Sequence, residues 1–155
     1  MAEPTVRQTV YSAGYQRLNL ETFVRDVGAL RAVVADVRLK PQSRNFVWNR
    51  RNLESTLGLR YVWIPELGNL NYKGGPIVLQ APAPGLLALA NLLTQSPVVV
   101  LCVCADPKVC HRTVVLHMLH EQHPDLQVIL WDKRHAEATQ ALTRRSLFDD
   151  EASNG

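Results

Sequence analysis

Val98-Val99-Val100-Leu101-Cys102-Val103-Cys104, followed by Asp106-Pro107 and then Cys110-His111-Arg112-Thr113, decides the architecture. An unbroken apolar run of this length, turned by Asp106-Pro107, reads as the strongest strand in the chain. The next segment has helical spacing from about Cys110 to His120, with Val114, Val115, Met118 and Leu119 on one face, and Pro124 closes it. A strand leading directly into a helix is half of a parallel βαβ unit.

The same unit recurs outward in both directions. Upstream, Thr9-Val10-Tyr11-Ser12-Ala13 is a short strand closed by Gly14. A helix opening at Asn19 or Leu20 follows, with Leu20, Phe23, Val24, Val27 and Leu30 on one face. Ala32–Asp36 is a nearly continuous apolar run, the signature of a strand buried on both faces, Pro41–Arg44 is a turn, and Asn49–Leu57 is a short helix stopped by Gly58. Arg60–Ile64 is a third strand ended by Pro65, Gly68–Pro76 a loop, and Pro84–Thr94 a helix with proline in its first turn. Downstream, Gln127–Trp131 is a fifth strand and residues 135–147 a last helix. Five alternations without a hairpin signal predict a single-domain three-layer α/β fold. Its sheet is mostly parallel, of about five strands, with helices on both faces. The expected domain spans 1–148, and 149–155 is expected to be a disordered acidic tail.

Composition agrees with one soluble domain. The chain has 155 residues, 46% of them apolar and 20% charged, which excludes a disordered chain, a collagen-like fibre and a coiled coil. Residues 74–105 carry no charge, but Pro76, Gln80, Pro82, Pro84, Asn91, Gln95 and Pro97 interrupt them, so no membrane partner is expected. Met1–Thr5 lacks the basic and apolar regions of a signal peptide. Cys102, Cys104 and Cys110 are crowded together and odd in number, unlike a secretory disulfide framework. A cytoplasmic location is expected. The formal charge is +3, with the excess between Arg38 and Arg60, where Arg38, Lys40, Arg44, Arg50, Arg51 and Arg60 face only Glu54.

Open parallel sheets bind ligands at the carboxyl ends of their strands. The residues leaving those ends are Tyr15 and Arg17, then Asp36, Arg38 and the turn with Ser43 and Arg44, then Glu66, then Cys104, Asp106, Cys110, His111 and Arg112, and last Asp132. A helix opening at Cys110 offers free N–H groups and a partial positive charge, which attract anions and lower a thiol's pKa. Arg112 in that first turn, read as exposed, adds a planar donor for phosphate or carboxylate. Arg38 and Arg112 are expected to point into one crevice. Cys110 and His111, with Asp36, are the candidate catalytic residues. Arg38, Ser43, Arg44, Arg112, Tyr15 and Glu66 are the candidate substrate-binding residues.

Other chemistries fit the spacing less well. A cysteine-phosphatase loop places arginine six residues after its cysteine, and the gap from Cys104 to Arg112 is two residues too long. A zinc site from Cys102, Cys104, Cys110 and His111 lacks C-x₂₋₄-C spacing. His120-Glu121-Gln122-His123 brings its second histidine one residue too early for H-E-x-x-H. No metal and no cofactor therefore enter the expectation. Cys102 is read as a small apolar residue of the strand.

Two blocks carry a resemblance. Asp36-Val37-Arg38-Leu39-Lys40-Pro41-Gln42-Ser43-Arg44, followed by Phe46, is similar to an Asp-Val-Arg-x-x-Pro-x-Ser-Arg block. Leu101-Cys102 through Asp106-Pro107 to Cys110-His111-Arg112 is similar to a strand entering Cys-His-Arg. With Ser12–Tyr15, Phe23 and Tyr61–Gly68, the chain resembles the domain of unknown function 488 family over about residues 9–131. Many relatives have His where Tyr15 stands and Glu where Cys104 stands. The resemblance implies an α/β fold and a shared site built from the Asp36–Arg44 and Cys110–Arg112 blocks, without naming an activity.

Two functions are thus expected. The first is an enzyme-like protein binding an anionic, phosphate-bearing ligand, a nucleotide or a nucleic-acid end, at the sheet's carboxyl edge. The second is a non-catalytic nucleic-acid-binding module in which Phe46, Trp48 and Tyr61 interleave with the basic Arg38–Arg60 segment. Against the second, Trp48 and Tyr61 also suit a core.

Overall fold

The strand Val98–Cys102 is buried along its whole length and lies at the centre of the sheet. A computed structural model describes residues 8–133. The helix expected over 135–147 and the tail expected over 149–155 lie outside them. The described strands are β1 (Thr9–Gly14), β2 (Val33–Asp36), β3 (Tyr61–Trp63), β4 (Val98–Cys102) and β5 (Gln127–Leu130). The helices are α1 (Leu20–Leu30), α2 (Arg50–Leu57), α3 (Pro82–Leu93) and α4 (His111–Gln122). The strands form one parallel sheet in the order β3-β2-β4-β1-β5. The expected three-layer α/β fold is present.

The period-two alternation of the strands sorts the core into two layers. Val10, Ala35, Val37, Val98, Val100 and Cys102 pack with Leu86, Leu89 and Leu93 of α3 and Val115, Leu116 and Leu119 of α4. Tyr11, Ala13, Val34, Tyr61, Val99 and Leu101 pack with Phe23 and Val27 of α1 and Leu53 and Leu57 of α2. α1 and α2 thus cover one face, and α3 and α4 the other, as right-handed crossovers require.

Local chemistry sets the boundaries. The Asn19 side chain accepts from Thr22 N at 3.0 Å and caps α1. α3 begins at Pro82 rather than Pro84, because both prolines fit a first turn whose N–H groups need no helical partner. Cys110 is the residue preceding α4, which runs on to Gln122, beyond the expected His120. Arg60 lies in a 3₁₀ turn ahead of β3.

Strand order positions the site. β2 and β4 are neighbours, yet the chain leaves β2 toward β3 and leaves β4 in the opposite direction, past β1 to β5. Connections that diverge from adjacent parallel strands leave a crevice at their carboxyl ends. Two glycines let each wall of the crevice pack on its outer neighbour, Gly14 of β1 on the loop after β4 and Gly68 on the segment after β2. A Cβ on Gly14 would stand 1.6 Å from the Cys104 carbonyl oxygen, and one on Gly68 would stand 2.5 Å from Leu39 Cα.

Candidate functional site

Asp36 ends β2 with its side chain in the α1/α2 layer, fully buried. Arg38 Nε donates to Asp36 Oδ1 at 2.9 Å, and Arg38 Nη2 donates to Oδ2 at 2.7 Å. The Arg38 backbone N–H also donates to Oδ1, at 3.1 Å, and Tyr61 Oη–H donates to Oδ2 at 2.5 Å. Arg38 Nη2 further donates to the Trp48 carbonyl at 2.7 Å, and the guanidinium lies 5.1 Å from the Tyr15 ring centroid. Burial works against the Arg38 charge, but the hydrogen bonds and charge of Asp36 outweigh it and hold the guanidinium protonated. Burial, followed by the Asp36 charge and hydrogen bond, pushes the Tyr61 phenol up, so it remains a donor. Asp36 is saturated by these partners and acts as an anchor for Arg38. One group is left over: Arg38 Nη1 is buried and has no hydrogen-bond partner among the described residues.

On the opposite face of the same strand ends lies a sulfur and imidazole cluster. Cys102 closes β4, Cys110 precedes α4, and His111 is its first residue; all three are buried. Their ligating atoms lie within 4.8 Å of one another. Cys102 Sγ is 3.4 Å from His111 Nδ1. His111 Nε2 is 2.7 Å from the Val37 carbonyl, which only accepts, so Nε2 carries the hydrogen and donates to it. Hydrogen bonding from Cys102 lowers the Cys110 pKa, opposed by burial and helped by His111, the Arg112 backbone N–H and the Arg112 charge. The reciprocal interaction with Cys110, together with burial, pushes Cys102 well up. Burial, then the charge and hydrogen bond of Cys110, raises half-buried Cys104. None of the three cysteines is in a disulfide.

The two groups meet in a cleft of about 420 Å³, within the size range of small-molecule sites. Arg38, Lys40, Asn69 and Tyr72 line it opposite Cys102, Cys104, Cys110 and His111. Cys110, His111 and Arg38 are therefore brought together in one cleft.

The remaining candidates are elsewhere. Tyr15, Ser43 and Arg44 line a separate cleft of about 460 Å³ beside Trp48 and Val103. Glu66 lies in the turn after β3, where its carbonyl accepts from Ala81 N at 2.8 Å. Arg112 is not an exposed first-turn arginine and does not share a crevice with Arg38. It is buried, with Nε donating to Ser12 Oγ at 2.8 Å, Nη1 to the Cys104 carbonyl at 2.5 Å and Nη2 to the Ala105 carbonyl at 3.4 Å. Its guanidinium faces β1 and holds the loop after β4, because three neutral acceptors there offer a buried cation what solvent otherwise would. Trp48 and Tyr61 belong to the core. Of the three interleaved aromatics, Phe46 is exposed.

Lys40, Asn69 and Tyr72 had no signal of their own in the sequence. Lys40 stands inside the Asp36–Arg44 block, but Asn69 and Tyr72 come from the Gly68–Pro76 segment, whose return to β2 depends on Gly68 meeting Leu39.

The β2 half of this geometry, from α1 through Asp36 and Arg38 to β3 and the loop beyond it, also carries a match to known sequences. Residues 23–74 match the family model described as Domain of unknown function DUF488. The chain resembles that family, as the Asp36–Arg44 block implied. The matched residues include Arg38, Lys40, Asn69 and Tyr72, one wall of the cleft; the Cys102–His111 wall lies beyond them. No curated protein and no solved structure matches the chain. Among the described residues no helix is long and apolar enough to cross a membrane.

Proposed function

We propose that the cleft between the carboxyl ends of β2 and β4 binds an anionic, phosphate-bearing ligand, a nucleotide or nucleic-acid end, with Cys110 and His111 as the reactive wall of an enzyme-like site. The observation that carries this is the unpartnered Arg38 Nη1 in a residue lining the cleft. A buried donor without an acceptor costs about 1–3 kcal/mol, and a ligand oxygen would recover that. Asp36 neutralises the Arg38 charge, so the net attraction for an anion comes from exposed Lys40 and from the open end of α4.

Inorganic phosphate is the direct probe. It should raise the melting temperature beyond a chloride control of equal ionic strength. Lys40→Gln should remove most of that increment and leave the melting temperature in chloride unchanged. An identical increment in Lys40→Gln, or none in the native chain, would sink the assignment.

A second reading draws on a different cleft. Lys40, Arg50, Arg51 and Trp63 line a groove of about 600 Å³, with the Arg50 guanidinium 4.4 Å from the Trp63 ring centroid. A basic groove with an aromatic wall suits a nucleic-acid strand. Such binding weakens steeply with salt and is lost in an Arg50→Ala, Arg51→Ala double variant, whereas phosphate binding at the Arg38 cleft survives it.

A further inference from the structure

Two thiols and an imidazole converging on one point suggest more than a nucleophile and its base. In a tetrahedral zinc centre, with Zn–S of about 2.3 Å and Zn–N of about 2.0–2.1 Å, a sulfur and a nitrogen ligand stand about 3.6 Å apart, and two sulfurs about 3.8 Å. Cys102 Sγ and His111 Nδ1 are already 3.4 Å apart, and Cys110 Sγ is within 4.8 Å of both. The set is thus within about 1 Å of the separations that a tetrahedral centre requires. The imidazole is committed as well. Its Nε2–H is held by the Val37 carbonyl, so Nδ1 presents a lone pair toward the two sulfurs. A ring nitrogen fixed through its distal N–H is the usual support of a metal-bound histidine.

Spacing argued against zinc because Cys102 and Cys110 are far from C-x₂₋₄-C. That spacing describes a knuckle made by one turn. Here the ligands come from a strand end and the helix it leads into, so the loop between them sets no such limit.

We propose that Cys102, Cys110 and His111 hold a divalent metal ion of the zinc class through two sulfurs and Nδ1, with its fourth position facing the cleft. All three residues line the cleft together with Arg38 and Lys40. Three protein ligands with an open fourth position are the arrangement of catalytic rather than structural zinc. Thiolate and imidazole donors favour zinc over magnesium or calcium. The role of the open position, to receive an oxygen of the anion, rests on the cleft assignment above; the binding of the metal does not.

Cobalt(II) is the probe. Titrated into the reduced, chelator-treated full-length chain, it should bind once per chain, with thiolate-to-cobalt charge transfer and the intense visible bands of tetrahedral geometry. Zinc should bleach both. Cys104→Ser should keep the spectrum, since Cys104 lies outside the three-atom group, while Cys110→Ser, which leaves the Cys102 sulfur alone, should lower the charge-transfer intensity or weaken binding by at least about tenfold. A weak octahedral spectrum in the native chain overturns the site whatever the variants do, so a Cys110→Ser chain that fails to fold does not protect it. Survival of the full charge transfer in a folded Cys110→Ser chain overturns it too. Phosphate added to the cobalt-loaded chain should shift the visible bands, and unshifted bands overturn the open fourth position. If the cobalt spectrum appears but phosphate gives no melting increment in metal-free or loaded protein, the metal site stands and the anion assignment fails.

Discussion

His111 Nε2 donates to the Val37 carbonyl at 2.7 Å, tying the first residue of α4 to the residue that follows β2 across 74 positions of sequence. That bond joins the two walls of the cleft. It also orients the imidazole, so the chemistry of the Cys102–Cys110–His111 group depends on a strand to which none of the three belongs.

The Asp36–Arg38 pair is expected to be the most sensitive feature of the fold. Asp36→Ala leaves a buried guanidinium without its counter-charge and should cost about 3–5 kcal/mol in denaturant unfolding. Tyr61→Phe removes one hydrogen bond to the same carboxylate and should cost about 1.5–3 kcal/mol. A smaller loss for Asp36→Ala than for Tyr61→Phe would mean that Arg38 finds another partner.

Tyr61 also sets an alkaline limit. Its phenol is raised in the folded chain, so its contribution to stability is complete below the ordinary tyrosine value near 10 and is lost as pH rises from there toward the folded value. Unfolding free energy measured at pH 8 and pH 11 should therefore fall more in the native chain than in Tyr61→Phe. Equal falls would show that the buried phenol ionises as freely as in the unfolded chain.

Arg112→Ala should behave as a core substitution. Removing the guanidinium strips Ser12 Oγ and the carbonyls of Cys104 and Ala105 of their donor, at a cost of about 3 kcal/mol. Ser12→Ala, which deletes one of those acceptors, should cost about 1 kcal/mol. A neutral Arg112→Ala in thermal unfolding would contradict the buried placement.

Gly14→Ala tests the closure of the site. Its methyl would fall on the Cys104 carbonyl, part of the backbone, so β1 and the loop after β4 must separate. Overpacking of this kind should cost at least about 3 kcal/mol. It should also increase alkylation of Cys104, read by peptide mass mapping; an unchanged rate would show that the loop absorbs the methyl without opening.

Local pattern determined the class of fold. Val98–Cys104 and Ala32–Asp36 are apolar runs too long and too regular to serve anything but a buried parallel sheet, and the 3–4 spacing of Leu20, Phe23, Val27 and Leu30 leaves α1 one apolar face. The same logic put Asp36, Arg38, Cys110 and His111 at the carboxyl edge, because a residue that follows a parallel strand has nowhere else to go. Only the tertiary structure decided which of them meet. Strand order placed β2 beside β4, which brought Val37 to His111 and the Arg38 wall to the cysteines. The direction of Arg112 was decided by Ser12, 100 positions away, and the burial of Trp48 by its stacking on Tyr15. A side chain at a helix start can turn toward solvent or toward a neighbouring strand with the same local sequence, and the choice falls to whichever acceptors the assembled sheet presents.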